Sequence, residues 1–104
     1  MIQAVCTVRR DCTEGCIEKV GAIDATVESP KSLPRKPKHL WPVETLRPLL
    51  NKGSVICFTY ADNEIAYVEA FDCKTCGNDA LRTVRTKPDA TKANNLDSLP
   101  ICFA

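Results

Sequence analysis

Ile2-Gln3-Ala4-Val5-Cys6-Thr7-Val8-Arg9 alternates, with Ile2, Ala4, Cys6 and Val8 on one side, Gln3, Thr7 and Arg9 on the other, and Val5 as the exception. A period of two residues marks a half-buried strand. The chain then turns polar through Arg10-Asp11-Cys12-Thr13-Glu14-Gly15, and apolar residues resume at Cys16, Ile17, Val20 and Ile23. This second run reads as the return strand of a hairpin, with Gly21 marking a bulge within it. Cys12 and Cys16 bracket the hairpin turn.

The second half repeats the device. Residues 54–60 are rich in β-branched and aromatic side chains, Ala61-Asp62-Asn63-Glu64 supplies a turn, and 65–71 reads as a strand again. Asp72-Cys73-Lys74-Thr75-Cys76-Gly77 makes a second tight turn, followed by a strand over 80–86. Ahead of these strands, Leu46, Leu49 and Leu50 stand at i, i+3 and i+4, and Gly53 is placed as a stop, which predicts a short helix within 41–53. Pro48 is tolerated only in a first turn, so the helix either starts near Thr45 as N-cap or begins near Val43 and kinks. Leu96, Leu99, Ile101 and Phe103 give the C-terminal tail a way to dock on the core. The order ββ-α-βββ predicts one α+β domain over residues 1–104, an antiparallel sheet or small barrel with one short helix.

At 104 residues the chain buries one thin core. Its 14 basic against 13 acidic residues leave a net charge of +1, which excludes the strongly basic type of nucleic-acid binder and confines electrostatic contacts to local patches. No apolar stretch approaches the roughly 18 residues of a spanning helix, and the amino terminus lacks the basic-then-apolar pattern of a signal peptide. Seven cysteines are an odd number, whereas secreted disulfide frameworks normally use an even one. These features point to a cytoplasmic protein with no membrane segment, whose thiols are metal ligands or reduced core residues.

Cys12, Cys16, Cys73 and Cys76 form a C-x3-C…C-x2-C pattern with each pair in a turn between strands. Two such turns can complete a tetrahedron of thiolates around Zn2+ at about 2.3 Å. Gly77 supports this zinc-ribbon-like reading, because backbone amides after the second ligand must turn toward the sulfurs. The alternatives are a disulfide within or between the pairs, and plain reduced thiols. Cys6, Cys57 and Cys102 lie among apolar residues and read as small buried core residues.

Residues 29–42 differ abruptly from the rest. Pro30, Pro34, Pro37 and Pro42 punctuate Lys31, Arg35, Lys36, Lys38 and His39, which predicts an extended, poorly packed insertion. A charge run of this kind is ordinarily a solvated face. Its functional reading is a basic contact for a protein or nucleic-acid partner through Lys31, Arg35, Lys36 and Lys38. The lone His39 reads as a solvated loop residue, and no nucleophile has an orienting partner, so a non-enzymatic module is expected.

At Val84-Arg85-Thr86-Lys87-Pro88-Asp89-Ala90, then Asn94-Asn95-Leu96 and Leu99-Pro100, the sequence resembles the small prokaryotic and phage proteins of domain-of-unknown-function family 3892. The run from Trp41 to Gly53 resembles that family's Trp-started helix. The family has no established activity, so the resemblance implies a fold and a cluster of polar residues but no activity; the short length and the lack of catalytic residues suggest a phage or mobile-element accessory factor. Arg85, Thr86, Asp89, Asn94 and Asn95 are the candidate ligand-binding set, and a small-ligand or nucleotide-binding domain is the alternative function. Their structural reading is capping of turns by Asn and Asp, with Arg85 tying the tail to the sheet.

Overall fold

The computed structural model describes residues 1–9, 16–61, 63–73, 81–87 and 96–102, with the backbone alone for Cys73, Leu81, Arg82 and Asp97. The described strands are β1 (Ile2–Arg9), β2 (Ile17–Asp24), β3 (His39–Pro42), β4 (Cys57–Ala61), β5 (Glu64–Cys73) and β6 (Leu81–Thr86). They form one sheet in the order β3-β2-β1-β4-β5-β6. Each pair is antiparallel except β1 and β4, whose short parallel contact joins Ile2 to Cys57 and Gln3 to Phe58. The helix α1 (Val43–Lys52) lies in the crossover that makes this parallel pairing possible. The α+β class expected from the sequence is the class observed.

β3 was not expected, because 39–42 fell inside the proline-rich insertion. Four residues are too few to show a period, yet His39 pairs with Ala22 and Pro42 with Lys19. A proline is acceptable there because β3 is an edge strand. Pro42 also serves as N-cap of α1 without a side-chain cap bond, so the helix begins at Val43 rather than near Thr45. Pro48 sits inside it, forgoing the bond to the Glu44 carbonyl. Gly53 ends the helix as the sequence suggests. At φ 73° its N–H reaches the Leu50 carbonyl at 3.2 Å, and the Ser54 N–H reaches the Leu49 carbonyl at 3.0 Å. These two bonds satisfy carbonyls that a helix end otherwise leaves orphaned, in a conformation glycine adopts without a Cβ penalty.

The exception at Val5 decides how the layers stack. Ala4 pairs with Ala22 and Cys6 with Gly21, so Val5 is an extra residue in β1. The bulge therefore belongs to β1, while Gly21 is the residue opposite it. An extra residue reverses which face later side chains take. Ile2 and Ala4 pack with Val43 and Leu46 of the helix, whereas Val5 and Cys6 join Cys102, Val8, Ile23 and Leu33 on the other side. β1 is thus covered on both faces, which is why Gln3 and Thr7, expected in solvent, are fully buried.

The second cover is the proline-rich segment and the tail. Gln3 donates from Nε2 to the Lys31 carbonyl and accepts from the Lys31 N–H at Oε1, both at 2.8 Å. The Lys38 N–H bonds the Ala22 carbonyl at 2.9 Å, and Leu33 packs against Val5 and Cys6. The expectation of a poorly packed insertion is therefore corrected. Repeated Pro removes donors, but a buried amide on β1 supplies the pairing that the loop itself lacks. In the tail, Leu96 is buried in the helix-side core, while the Thr7 N–H and C=O bond Pro100 and Cys102 at 3.0 and 2.9 Å. Ile101 is 65% exposed rather than docked. Phe103 lies outside the described residues.

Cys6 and Cys102 are joined by a disulfide across 96 residues of sequence. Both are buried, as expected, but they are not thiols. An odd cysteine count cannot say which thiol is left over, and here it includes Cys57, a free buried cysteine on β4. Both sulfurs of the disulfide pack against Gly21. A Cβ there would collide with Cys6 Sγ, stand 2.6 Å from Cys102 Sγ and 2.9 Å from Pro37 Cβ. None of these neighbours is the free end of a flexible side chain. Gly21→Ala should destabilise the oxidised protein by about 1–3 kcal/mol, the usual cost of overpacking. Urea unfolding checks this, and an unchanged midpoint would show that the strand and disulfide can move apart.

Candidate functional site

Over the disulfide, the turn 34–37 and the tail 100–102 stand as two walls of an open groove of about 690 Å3. Pro34, Pro37, Pro100 and Ile101 line it with apolar surface, Cys6 and Cys102 close its base, and Arg35 and Lys36 supply its only charges among the lining residues. The walls are rigid for a sequence reason. Pro34 and Pro37 in one wall and Pro100 in the other fix φ at those positions. Arg35 Nε donates to the Ser32 carbonyl at 3.1 Å, bracing the turn while leaving the residue exposed.

The four candidate basic residues separate into two kinds. Lys31 is anchored through its backbone by Gln3, and Lys38 Nζ bonds Asp24 Oδ2 at 2.6 Å on the exposed surface. Arg35 and Lys36 remain at the groove without a carboxylate partner among the described residues. The hydrogen bond and the charge of Lys38 hold the Asp24 carboxyl below the usual carboxylate range. His39 is exposed on β3.

The cysteine pairs are described only in part. Cys12 and Cys76 lie outside the described residues, and so does the side chain of Cys73. Cys16 is disulfide-bonded, with a partner outside the described side chains, and a sulfur so bonded offers no thiolate. Among the described residues, no group of three or more His, Cys, Asp or Glu is placed to hold a metal ion. The described strands that flank these segments in sequence do meet. Thr83 Oγ1 donates to the Ile17 carbonyl at 2.7 Å, and Thr83 pairs with Phe71, two residues before Cys73. Cys57, the remaining cysteine whose side chain is described, has its thiol pushed up to about 12 by burial, which suits a core residue and not a nucleophile.

Of the polar C-terminal set, Arg85 and Thr86 point to opposite faces of β6. Thr86 is buried, while exposed Arg85 bonds Glu69 Oε2 at 3.0 Å and stacks 4.3 Å from the Phe71 ring centre. Asp89, Asn94 and Asn95 lie outside the described residues. Two anchoring residues escaped the sequence reading. Gln3 sat on the nominally polar side of a strand. Arg47 of α1 donates from Nη1 to the Phe71 and Thr83 carbonyls at 2.6 and 2.8 Å and pairs with Asp72, tying helix to β5 and β6. A single polar residue in either context carries no local signal of such a role.

No family model matches the chain, and neither a curated protein nor a solved structure is found to be similar to it. No described helix is long and apolar enough to cross a membrane.

Because the Asp24 carboxyl is held down in the folded state, its pairing with Lys38 stabilises the loop above the ordinary carboxylate range and is lost as pH falls through the lowered folded value. An NMR titration should place the Asp24 midpoint below that of an ordinary aspartate, and Lys38→Gln should return it toward that value. A midpoint unmoved by the substitution would contradict the pairing.

Proposed function

We propose that this chain is a non-enzymatic interaction module that binds a protein partner in the groove above the Cys6–Cys102 disulfide. The observation that carries the reading is the composition of that groove: apolar walls built from three prolines and Ile101, with Arg35 and Lys36 as charges that have no carboxylate partner among the described residues. Such a surface complements an extended segment that offers apolar side chains beside Asp or Glu. A nucleic acid gains mainly from phosphate contacts, and two cations beside apolar walls serve it poorly.

The chemistry of the cysteines bears on where this happens. A cytoplasmic chain would keep its thiols reduced, leaving Cys12, Cys16, Cys73 and Cys76 available as a structural zinc site. The disulfides at Cys6–Cys102 and Cys16 suit an oxidising compartment instead, and the oxidised form is the one whose tail is tied down to wall the groove. Binding is therefore assigned to the oxidised form. The short length and the lack of catalytic residues in the sequence add a phage or mobile-element accessory role to the proposal.

Selection of a displayed random-peptide library on the oxidised protein tests the site. Enriched peptides should combine acidic with apolar residues and should bind the doubly reversed variant Arg35→Glu, Lys36→Glu at least about tenfold more weakly, a loss of roughly 1.4 kcal/mol. Equal binding to the variant, or no enrichment at all, would overturn the proposal.

A further inference from the structure

A second concavity, of about 530 Å3, opens on the far side of β1, where the end of α1 meets the start of β4 and the middle of β5. Leu50, Val55, Ile56 and Val68 give it apolar walls. Tyr67 borders it with 41% of its surface exposed, and Ile56 is 42% exposed. Volume and lining fall within the range of small-molecule sites, which pair apolar walls with a few placed polar groups.

Those polar groups are unevenly charged. Glu69 lines the cavity, but its carboxylate is bonded at 3.0 Å by Arg85, which in turn rests on Phe71. Lys87 also lines it, and its ammonium stands 5.8 Å from the Tyr67 ring centre with no carboxylate partner among the described residues. The Lys87 N–H bonds the Tyr67 carbonyl at 2.9 Å, which fixes the backbone that carries the cation beside Tyr67. One exposed aromatic ring, one adjacent cation and apolar walls therefore share a single concave surface.

We infer that this cavity is a binding site for a small aromatic anion, whose flat ring packs against Tyr67 and the apolar wall while its anionic group pairs with Lys87. Aromatic rings gain from offset or edge-to-face contact beyond simple burial. The cation adds charge-assisted hydrogen bonds in a partly desolvated setting. A nucleoside monophosphate and an aryl carboxylate share this chemistry. A polyanion is disfavoured, because a net charge of +1 provides no extended positive field.

The test titrates the full oxidised chain with adenosine monophosphate and indole-3-carboxylate, with adenosine and indole as uncharged controls, followed by saturation-transfer NMR and calorimetry. At least one anion should bind more tightly than its neutral control, and Lys87→Gln and Tyr67→Leu should each weaken it about tenfold or more. Binding of the phosphate alone identifies a nucleotide source, and binding of both identifies a general aromatic-anion site. Thermal melting confirms that the variants fold, and Lys87→Gln alters only an exposed side chain. Arg35→Glu, Lys36→Glu should leave this binding unchanged, which keeps the outcome separate from that of the groove. Neutral rings binding as well as anions, Lys87→Gln binding as well as the native chain, or no binding by any probe would overturn the inference.

Discussion

Everything on the loop side of the sheet depends on one extra residue in β1. Without the bulge at Val5, Cys6 would follow Ile2 and Ala4 toward the helix, out of reach of the tail. With it, Cys6 meets Cys102, and the disulfide closes a loop that spans 96 of the chain's positions. Closing a loop of that order stabilises a fold by about 4.7 kcal/mol in the chain-entropy account. Against a net stability of about 5–15 kcal/mol for a domain, that is a large share for a chain with so thin a core. The contact also requires a glycine opposite, because Gly21 is where the two sulfurs and Pro37 come to rest.

The same geometry turns an apparent insertion into a layer. The proline-rich segment cannot supply its own ladder, so its backbone is held from outside by Gln3, by Ala22 and by the ion pair at Asp24. Pinned at those points, the turn 34–37 projects beside the tail and leaves a groove between them. Rigidity of this kind lowers the ordering cost of binding, since neither wall must be immobilised by the partner. Stability and the proposed recognition surface thus share one set of contacts.

Much of the framework was legible from local pattern. The alternation of β1, the return strand after Cys16, the helix with its stop at Gly53 and the hairpin around Asn63 all follow from period and turn chemistry. Asn63 takes a φ of 63°, which asparagine tolerates better than most residues. What escaped was long-range. β3 is too short to show a period, Gln3 and Thr7 look solvent-facing until a second layer covers them, and nothing near Cys6 announces a partner at Cys102. The basic loop was visible as composition, but the pairing of Lys38 with Asp24 and the anchoring of the Lys31 backbone by Gln3 join residues distant in sequence. The cysteine pairs were visible as spacing, which favours zinc and keeps a disulfide as an alternative, and nothing local announces that Cys16 is disulfide-bonded.

Disulfide mapping of the native protein tests the central claim most directly. After free thiols are blocked without reduction, tryptic digestion yields peptide 1–9, which carries only Cys6, and peptide 93–104, which carries only Cys102. The expected result is a single species in which these two peptides are covalently joined and separate only on reduction. Cys6 recovered as a blocked thiol, or joined to a peptide from the 12–16 or 73–76 turns, would contradict the two-sided burial of β1 on which the fold and the groove are built.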